Sequence, residues 1–265
     1  MLLLRKERKK IGLALGGGSA RGFAHIGVIK VLEEAKIPID LVAGTSMGSV
    51  VGACYCAGLE ISFLERFAVH ADRNLWLDWT LPHKGLVAGN KLEQLILLLT
   101  KKKNFTELER PLAVVAADLC SGKKIVFREG LVARAVRASS AIPGIFRPVE
   151  EEDRVLVDGA VVERVPAPTV REMGADIVLA VDVGIYFNNQ KPHHILDVVT
   201  QSIDIMQRDL VQHSLEAADI VISPHLEEVA PGQFHLADKA IKAGEKAAYS
   251  MLPQIQELLM KEGLF

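Results

Sequence analysis

Along this chain, short apolar runs closed by glycine or proline alternate with stretches whose apolar residues recur at helical spacing. Residues 11–15, IGLAL, end at Gly16-Gly17-Gly18, which predicts a buried strand and a tight loop. From Ser19 to Lys36, the positions of Phe23, Ile26, Val28, Ile29 and Leu32 follow a helical period, and Pro38 stops that helix. DLVAG then reads as a second strand. SMGSVVGACYCAG reads as a helix apolar nearly all round, hence one inside the protein. PLAVVAADL (111–119), ADIVLAVDV (175–183) and ADIVISP (218–224) are further buried strands, and KKIVFREG follows the first of them through a Ser121-Gly122 turn.

The segments between are less regular. Residues 72–90 hold Trp76, Trp79, a proline and two glycines, and read as a lid or an insertion. The two tryptophans are read as core packing in preference to a lipid-contacting edge. LEQLILLL (92–99) is helical but too short to cross a bilayer. A short helix around Leu131–Ala138 precedes the small-residue loop ASSAIPGIF, and RPVEEEDRVLVDGA supplies two short strands around an acidic turn. Ile195, Val198, Val199, Ser202, Met206, Leu210 and Leu215 mark an amphipathic helix. A last helix from Ala237 to Met260 is expected to break or kink near Pro253. Strands separated by helices need crossover connections. The expected fold is therefore α/β: a three-layer α/β/α domain with a mainly parallel central sheet, spanning residues 11–265 behind a basic tail at 1–10.

Composition narrows the functions. The chain has 265 residues, 49% hydrophobic but only 5% aromatic, so its core is aliphatic. A formal net charge of −2 gives no general attraction to polyanions, and no nucleic-acid partner is expected. Cys54, Cys56 and Cys120 lack metal-ligand spacing and read as small buried hydrophobes in a reducing compartment; no metal and no cofactor is expected. The start, MLLLRKERKK, lacks the apolar core of a secretory signal. It reads either as a frayed, solvated tail or as a weak electrostatic contact with anionic lipid. No run of about 18 apolar residues exists, so the protein is expected in the cytoplasm, at most peripheral at the inner membrane face.

Three motifs carry chemistry. Gly44, Ser46 and Gly48 form G-x-S-x-G between a strand and a helix, the context in which that pattern presents a nucleophile on a sharp turn. The helix N-terminus would aim partial positive charge at the serine oxygen. GGGSARG, Gly16 to Gly22, also joins a strand to a helix, and its amides could converge on a phosphate, a pyrophosphate or an oxyanion. No Gly-Lys-Ser/Thr follows, so it is not a P-loop. Nor does it suit a dinucleotide: the third glycine is displaced by Arg21, and the acidic ribose ligand is missing. Arg21 is either a charged donor or the partner of a nearby carboxylate. No histidine is tied to Ser46 by pattern; His25 and His193-His194 read as surface or structural residues. Asp158, in VLVDGA, ends a short apolar strand, where a carboxylate is usually a cap or turn residue and less often a base.

The ordered set GGGSARG, GTSMGS, SSAIPGIF and DGA resembles the patatin-like phospholipase family, including its compact bacterial members and the esterase domain of neuropathy target esterase. The resemblance spans residues 10 to 185. It implies a Ser–Asp dyad with Ser46 as nucleophile and Asp158 as base, and an oxyanion loop containing Gly16, Gly17, Gly18 and Arg21. The loop departs from the shorter Gly-Gly-Gly-x-Arg-Gly form by one extra residue. The implied reaction is hydrolysis of a lipid ester through an acyl-enzyme, with the Met47 amide as a further oxyanion donor. Esters should react more readily than amides, since no histidine is at hand to protonate a poor leaving group. Residues 72–90 with Trp76 and Trp79, and the Pro143–Phe146 loop, are the expected walls of an acyl slot. Two other readings stand beside this one: a regulatory protein that keeps the fold without the activity, and a nucleotide-binding oxidoreductase.

Overall fold

The computed structural model describes residues 8–71, 75–81, 84–151, 153–184, 191 and 195–264. An eight-stranded sheet carries the fold. Its strands are β1 (Ile11–Leu15), β2 (Leu41–Thr45), β3 (Leu112–Asp118), β4 (Lys124–Phe127), β5 (Val149–Glu151), β6 (Arg154–Asp158), β7 (Ile177–Val181) and β8 (Ile220–Ile222). They pair in the succession β5-β6-β3-β2-β1-β7-β8, with β4 also on β3. The pairs β3–β2, β2–β1, β1–β7 and β7–β8 are parallel. Those involving β4, β5 and β6 are antiparallel.

Alternation along the strands sorts the core into two unequal faces. Leu13, Leu15, Val42, Val114, Leu179 and Val181 point into the larger cluster. It includes residues of α1 (Ala24–Glu34), α2 (Met47–Cys56), α3 (Ile61–His70), α4 (Asn90–Leu99), α5 (Val132–Ser139) and α8 (Ala237–Lys261). Ala14, Ala43, Ala113, Val178 and Ala180 point the other way, towards α6 (Ala167–Glu172) and α7 (Ile195–Leu215). That second face is made of small residues, so α6 lies close. A Cβ on Gly12 would fall 2.0 Å from Val170 Cγ1.

Register explains how a residue at 158 reaches one at 46. On β3, Val114 and Val115 pair with both β2 and β4, while Ala116 and Ala117 pair with both β4 and β6. A residue has only two edges, so β2 and β6 must share the edge opposite β4. They meet there end to end: Thr45 lies opposite Val115, and Asp158 opposite Ala116. The carboxyl ends of a parallel and an antiparallel strand therefore converge on one point.

Several details differ from the sequence reading. Ser19–Phe23 is a 3₁₀ turn, and the α-helix begins only at Ala24. α8 runs unbroken through Pro253, which lies on its exposed side, where water can serve the carbonyl that proline leaves unpaired. Cys54 and Cys56 are buried, but Cys120 is exposed, because it sits in the β3–β4 turn. Trp76 is buried against Phe23, Phe67 and Phe234, whereas Trp79 is 70% exposed. α7 is the largest departure. Of the residues that mark it as amphipathic, Leu215 packs against the second cluster, whereas Val198, Val199, Ser202, Met206 and Leu210 are exposed. The helix also packs through Gln207, Val211 and Ser214. Residues 1–7 of the basic tail and His193-His194 lie outside the described residues.

Candidate active site

The chain leaves β2 and enters α2 within one residue. Ser46 makes that turn at φ 53° and ψ −125°, a conformation that an L-residue adopts only under constraint. The flanking glycines show why the turn can be so tight. A Cβ on Gly44 would lie 2.5 Å from Ser49 Cα, and one on Gly48 would lie 2.0 Å from the Leu15 carbonyl oxygen. Hydrogen bonds hold the elbow from several sides. The Ser46 amide donates to Ser139 Oγ at 2.8 Å, Ser49 Oγ donates to the Ser46 carbonyl at 2.6 Å, and Thr45 Oγ1 donates to the Glu163 carbonyl at 2.9 Å.

Asp158 closes β6. Its Oδ2 accepts the Ser46 hydroxyl at 2.6 Å, and its Oδ1 accepts the Ala160 amide at 2.8 Å. Cap and hydroxyl acceptor are thus the same side chain, each role using one oxygen. Gly159 makes the arrangement possible, since a Cβ there would fall 2.2 Å from the Val115 carbonyl oxygen. Asp158 is 3% exposed, and burial raises its carboxyl from 3.8 to about 6. The Ser46 and Ala160 hydrogen bonds and the Arg164 charge oppose that rise without cancelling it.

Arg164 was not singled out by the sequence. It is buried, donating from Nη1 to Asp204 Oδ1 at 3.0 Å and to Gln207 Oε1 at 3.1 Å, both on α7. Its Nη2 donates to the Gly184 carbonyl at 3.1 Å. The only sequence signal would have been a basic residue six positions beyond Asp158. Ser139 was inside a quoted motif, but nothing in the sequence assigned it to the Ser46 amide.

The glycine loop divides its amides. Gly16 donates to the Val181 carbonyl at 3.1 Å and Gly17 to the Arg164 carbonyl at 2.9 Å, so both are committed to the scaffold. Among the described residues, nothing accepts from the amides of Gly18 or Met47. Gly17 still has a steric part: a Cβ there would lie 3.3 Å from Ser46 Cβ. Arg21 is buried, and its Nε donates to the Val229 carbonyl at 2.8 Å, which ties the loop to the segment before α8. His25 is the structural residue of the two alternatives: it is fully buried, and its Nε2–H donates to the Gly16 carbonyl at 2.7 Å. Burial lowers its pKa to about 4, so the ring is neutral and serves the loop, while the Ser46 hydroxyl is bonded to Asp158.

A cleft of about 100 Å³ opens over these groups. Gly17, Gly18, Arg21, Ser46 and Asp158 form its floor, with Ile142, Pro143, Ile203, Asp204 and Gln207 among its walls. Pro143 lines it as expected. Trp76 and Trp79 do not, since one is sealed in the aromatic cluster and the other faces solvent.

A strand–elbow–helix serine hydrogen-bonded to a buried aspartate, beside unpaired backbone amides, is an arrangement that can support attack by the serine oxygen on a carbonyl. The patatin-like phospholipase family model matches residues 13–171, and the chain belongs to that family. It is 36% identical over 182 residues to patatin-like phospholipase domain-containing protein 6 of Homo sapiens, a match covering 66% of this chain and 13% of that protein. It is 34% identical over 192 residues to lysophospholipase NTE1 of Coccidioides immitis, covering 68% and 12%. An NTE family protein of Mycobacterium tuberculosis is 35% identical over 176 residues, covering 66% and 49%. The match thus spans about half of the mycobacterial relative and a small part of the others. Among solved structures, VipD from Legionella pneumophila shares the fold with a TM-score of 0.65 at 15% identity, covering 94% of this chain and 67% of that one. The type III effector ExoU does so at 0.55 and 14%, covering 94% and 53%. Among the described residues, no helix is long and apolar enough to cross a membrane.

Proposed function

We propose that this protein hydrolyses fatty-acyl esters of phospholipid or lysophospholipid type, through an acyl-enzyme on Ser46. The observation that carries the reading is the 2.6 Å hydrogen bond from Ser46 Oγ to Asp158 Oδ2 at the foot of the cleft. Asp158 takes the hydroxyl proton as Ser46 Oγ attacks the ester carbonyl. The alcohol leaves with that proton, and Asp158 then draws a proton from water as the water attacks the acyl-serine. A carboxyl held near 6 is a stronger base than an ordinary aspartate and is still ionised at neutral pH. Gly18 and Met47 supply the amides for the tetrahedral oxyanion, while Gly16, Gly17 and Arg21 hold the loop in place. Removing one such donor typically costs about 10²–10³ in turnover.

The test is labelling with a fluorophosphonate followed by peptide mass spectrometry, alongside hydrolysis of phospholipid and lysophospholipid substrates. The label should land on Ser46, and Ser46→Ala should lose both labelling and turnover. Folded protein that stays unlabelled, or is labelled elsewhere, would overturn the reading.

A further inference from the structure

Residues 78–81 and 84–88 form a strip, paired with the loop that lines the cleft, that presents large apolar side chains to solvent. Trp79 is 70% exposed and Leu81 is 85% exposed. The Thr80 amide donates to the Leu86 carbonyl and the Ala88 amide to the Asp78 carbonyl, each at 2.9 Å. The strip is joined in turn to the loop that lines the cleft. Leu86 and Val87 donate to the Ile145 carbonyl at 2.9 Å, and the Arg147 amide donates to the Val87 carbonyl at 2.8 Å. Ile142 and Pro143 of that same loop form part of the cleft wall. Single exposed apolar residues are common, but here two large ones stand two positions apart at the edge of a cationic cavity.

Charge identifies what covers them. A second cavity of about 620 Å³ adjoins the strip, lined by Lys84, Arg134, Arg137 and Arg147 against Glu93 and Glu150. Lys84 pairs with Glu150 and Arg134 with Glu93 at the surface, so the excess charge is that of Arg137 and Arg147. Arg147 connects cavity and strip directly, donating from Nη2 to Thr80 Oγ1 at 2.6 Å. Although the chain as a whole carries −2, this region carries an excess of positive charge. An apolar tip bordered by cations matches a surface whose interior is hydrocarbon and whose rim is phosphate.

We infer that Trp79 and Leu81, with the adjoining cationic cavity, form a docking surface for a membrane containing anionic phospholipid. The tip enters the headgroup–acyl boundary, and Lys84 and Arg134 exchange their surface pairs with Glu150 and Glu93 for lipid phosphates. The choice of occupant rests on the lipid-ester reading of the cleft, because such substrates are presented in membranes. Docking here brings the cleft wall at Ile142 and Pro143 to the lipid.

Binding is measured on Ser46→Ala protein, so it stands or falls apart from turnover. The probes are vesicles of phosphatidylcholine alone and of an equimolar mixture with phosphatidylglycerol, read by co-sedimentation and tryptophan emission. The mixed vesicles should bind, and the emission should shift to the blue through Trp79, since Trp76 is already buried. Trp79→Ser with Leu81→Ser should weaken binding about tenfold or more. Lys84→Gln with Arg134→Gln should weaken binding to the mixed vesicles about tenfold and leave phosphatidylcholine binding unchanged. Melting temperature and near-UV circular dichroism check that each variant is folded. Failure of the mixed vesicles to bind, unshifted emission on binding, or undiminished binding by the folded tip variant would each overturn the inference.

Discussion

On the sheet side of the cleft, a single carbon added at Gly44, Gly48 or Gly159 would fall within 2.5 Å of neighbouring atoms. On the helix side, α7 meets the site through Arg164, Asp204 and Gln207 and turns Met206 and Leu210 to solvent. The first wall is fixed by backbone against backbone, where a shift of half an ångström has nowhere to go. The second is held by a few polar bonds and the packing of Val211 and Leu215. This division puts Ser46 and Asp158, the proposed nucleophile and base, on the closely packed wall, and leaves access to a helix that could be repositioned at lower cost. The cleft itself is small beside the roughly 300–1,000 Å³ usual for ligand sites.

The largest effect should come from breaking the rigid wall. Gly48→Ala forces a Cβ to 2.0 Å from the Leu15 carbonyl oxygen. It should cost about 3 kcal/mol or more, seen as a steep fall in melting temperature. A variant that melts like wild type would show that the elbow can yield.

Asp158→Asn should leave the wall standing and remove the chemistry, lowering kcat/KM by about 10²–10⁴ at neutral pH. The same substitution should raise stability. The folded-state carboxyl is raised from 3.8 to about 6, so the protonated form favours folding below the lower value, and that advantage is lost as pH rises through the higher one. Above pH 6 the wild type carries a buried charge that asparagine lacks, a difference of about 3 kcal/mol at roughly 1.4 kcal/mol per tenfold change in proton affinity. Melting curves of the two proteins should separate at pH 7.5 and converge towards pH 4. Wild-type turnover should rise through about pH 6, as the carboxylate forms, and then level off.

Arg164→Gln tests the joint between the two walls. Removing its charge lets burial act on Asp158 with less opposition, so the midpoint of the pH–rate profile should move to higher pH. An unmoved or lowered midpoint would show that Arg164 matters only to α7. The smallest effects belong to α7. Val211→Ala, at a buried position, should cost about 1–2 kcal/mol, while Leu210→Ser, exposed beside it, should change stability by less than about 0.5 kcal/mol. Equal losses would mean that the apolar flank is covered.

The glycine-flanked serine, the triple glycine, the Asp158-Gly159 step and most strands were legible in order, because each depends on local properties. A run such as IGLAL is buried wherever it lies, and only glycine suits the positions at 44, 48 and 159. The meeting of Ser46 with Asp158 was implied by resemblance, but no spacing in the chain contained it. It follows from β2 and β6 sharing one edge of β3. Which amides of the glycine loop stay unpaired depended on where Val181 and Arg164 place their carbonyls. The outward stripe of α7 and the exposure of Trp79 were decided by neighbours distant in sequence. Hydrophobic periodicity says that a face is apolar, and only the packed structure says what, if anything, lies against it.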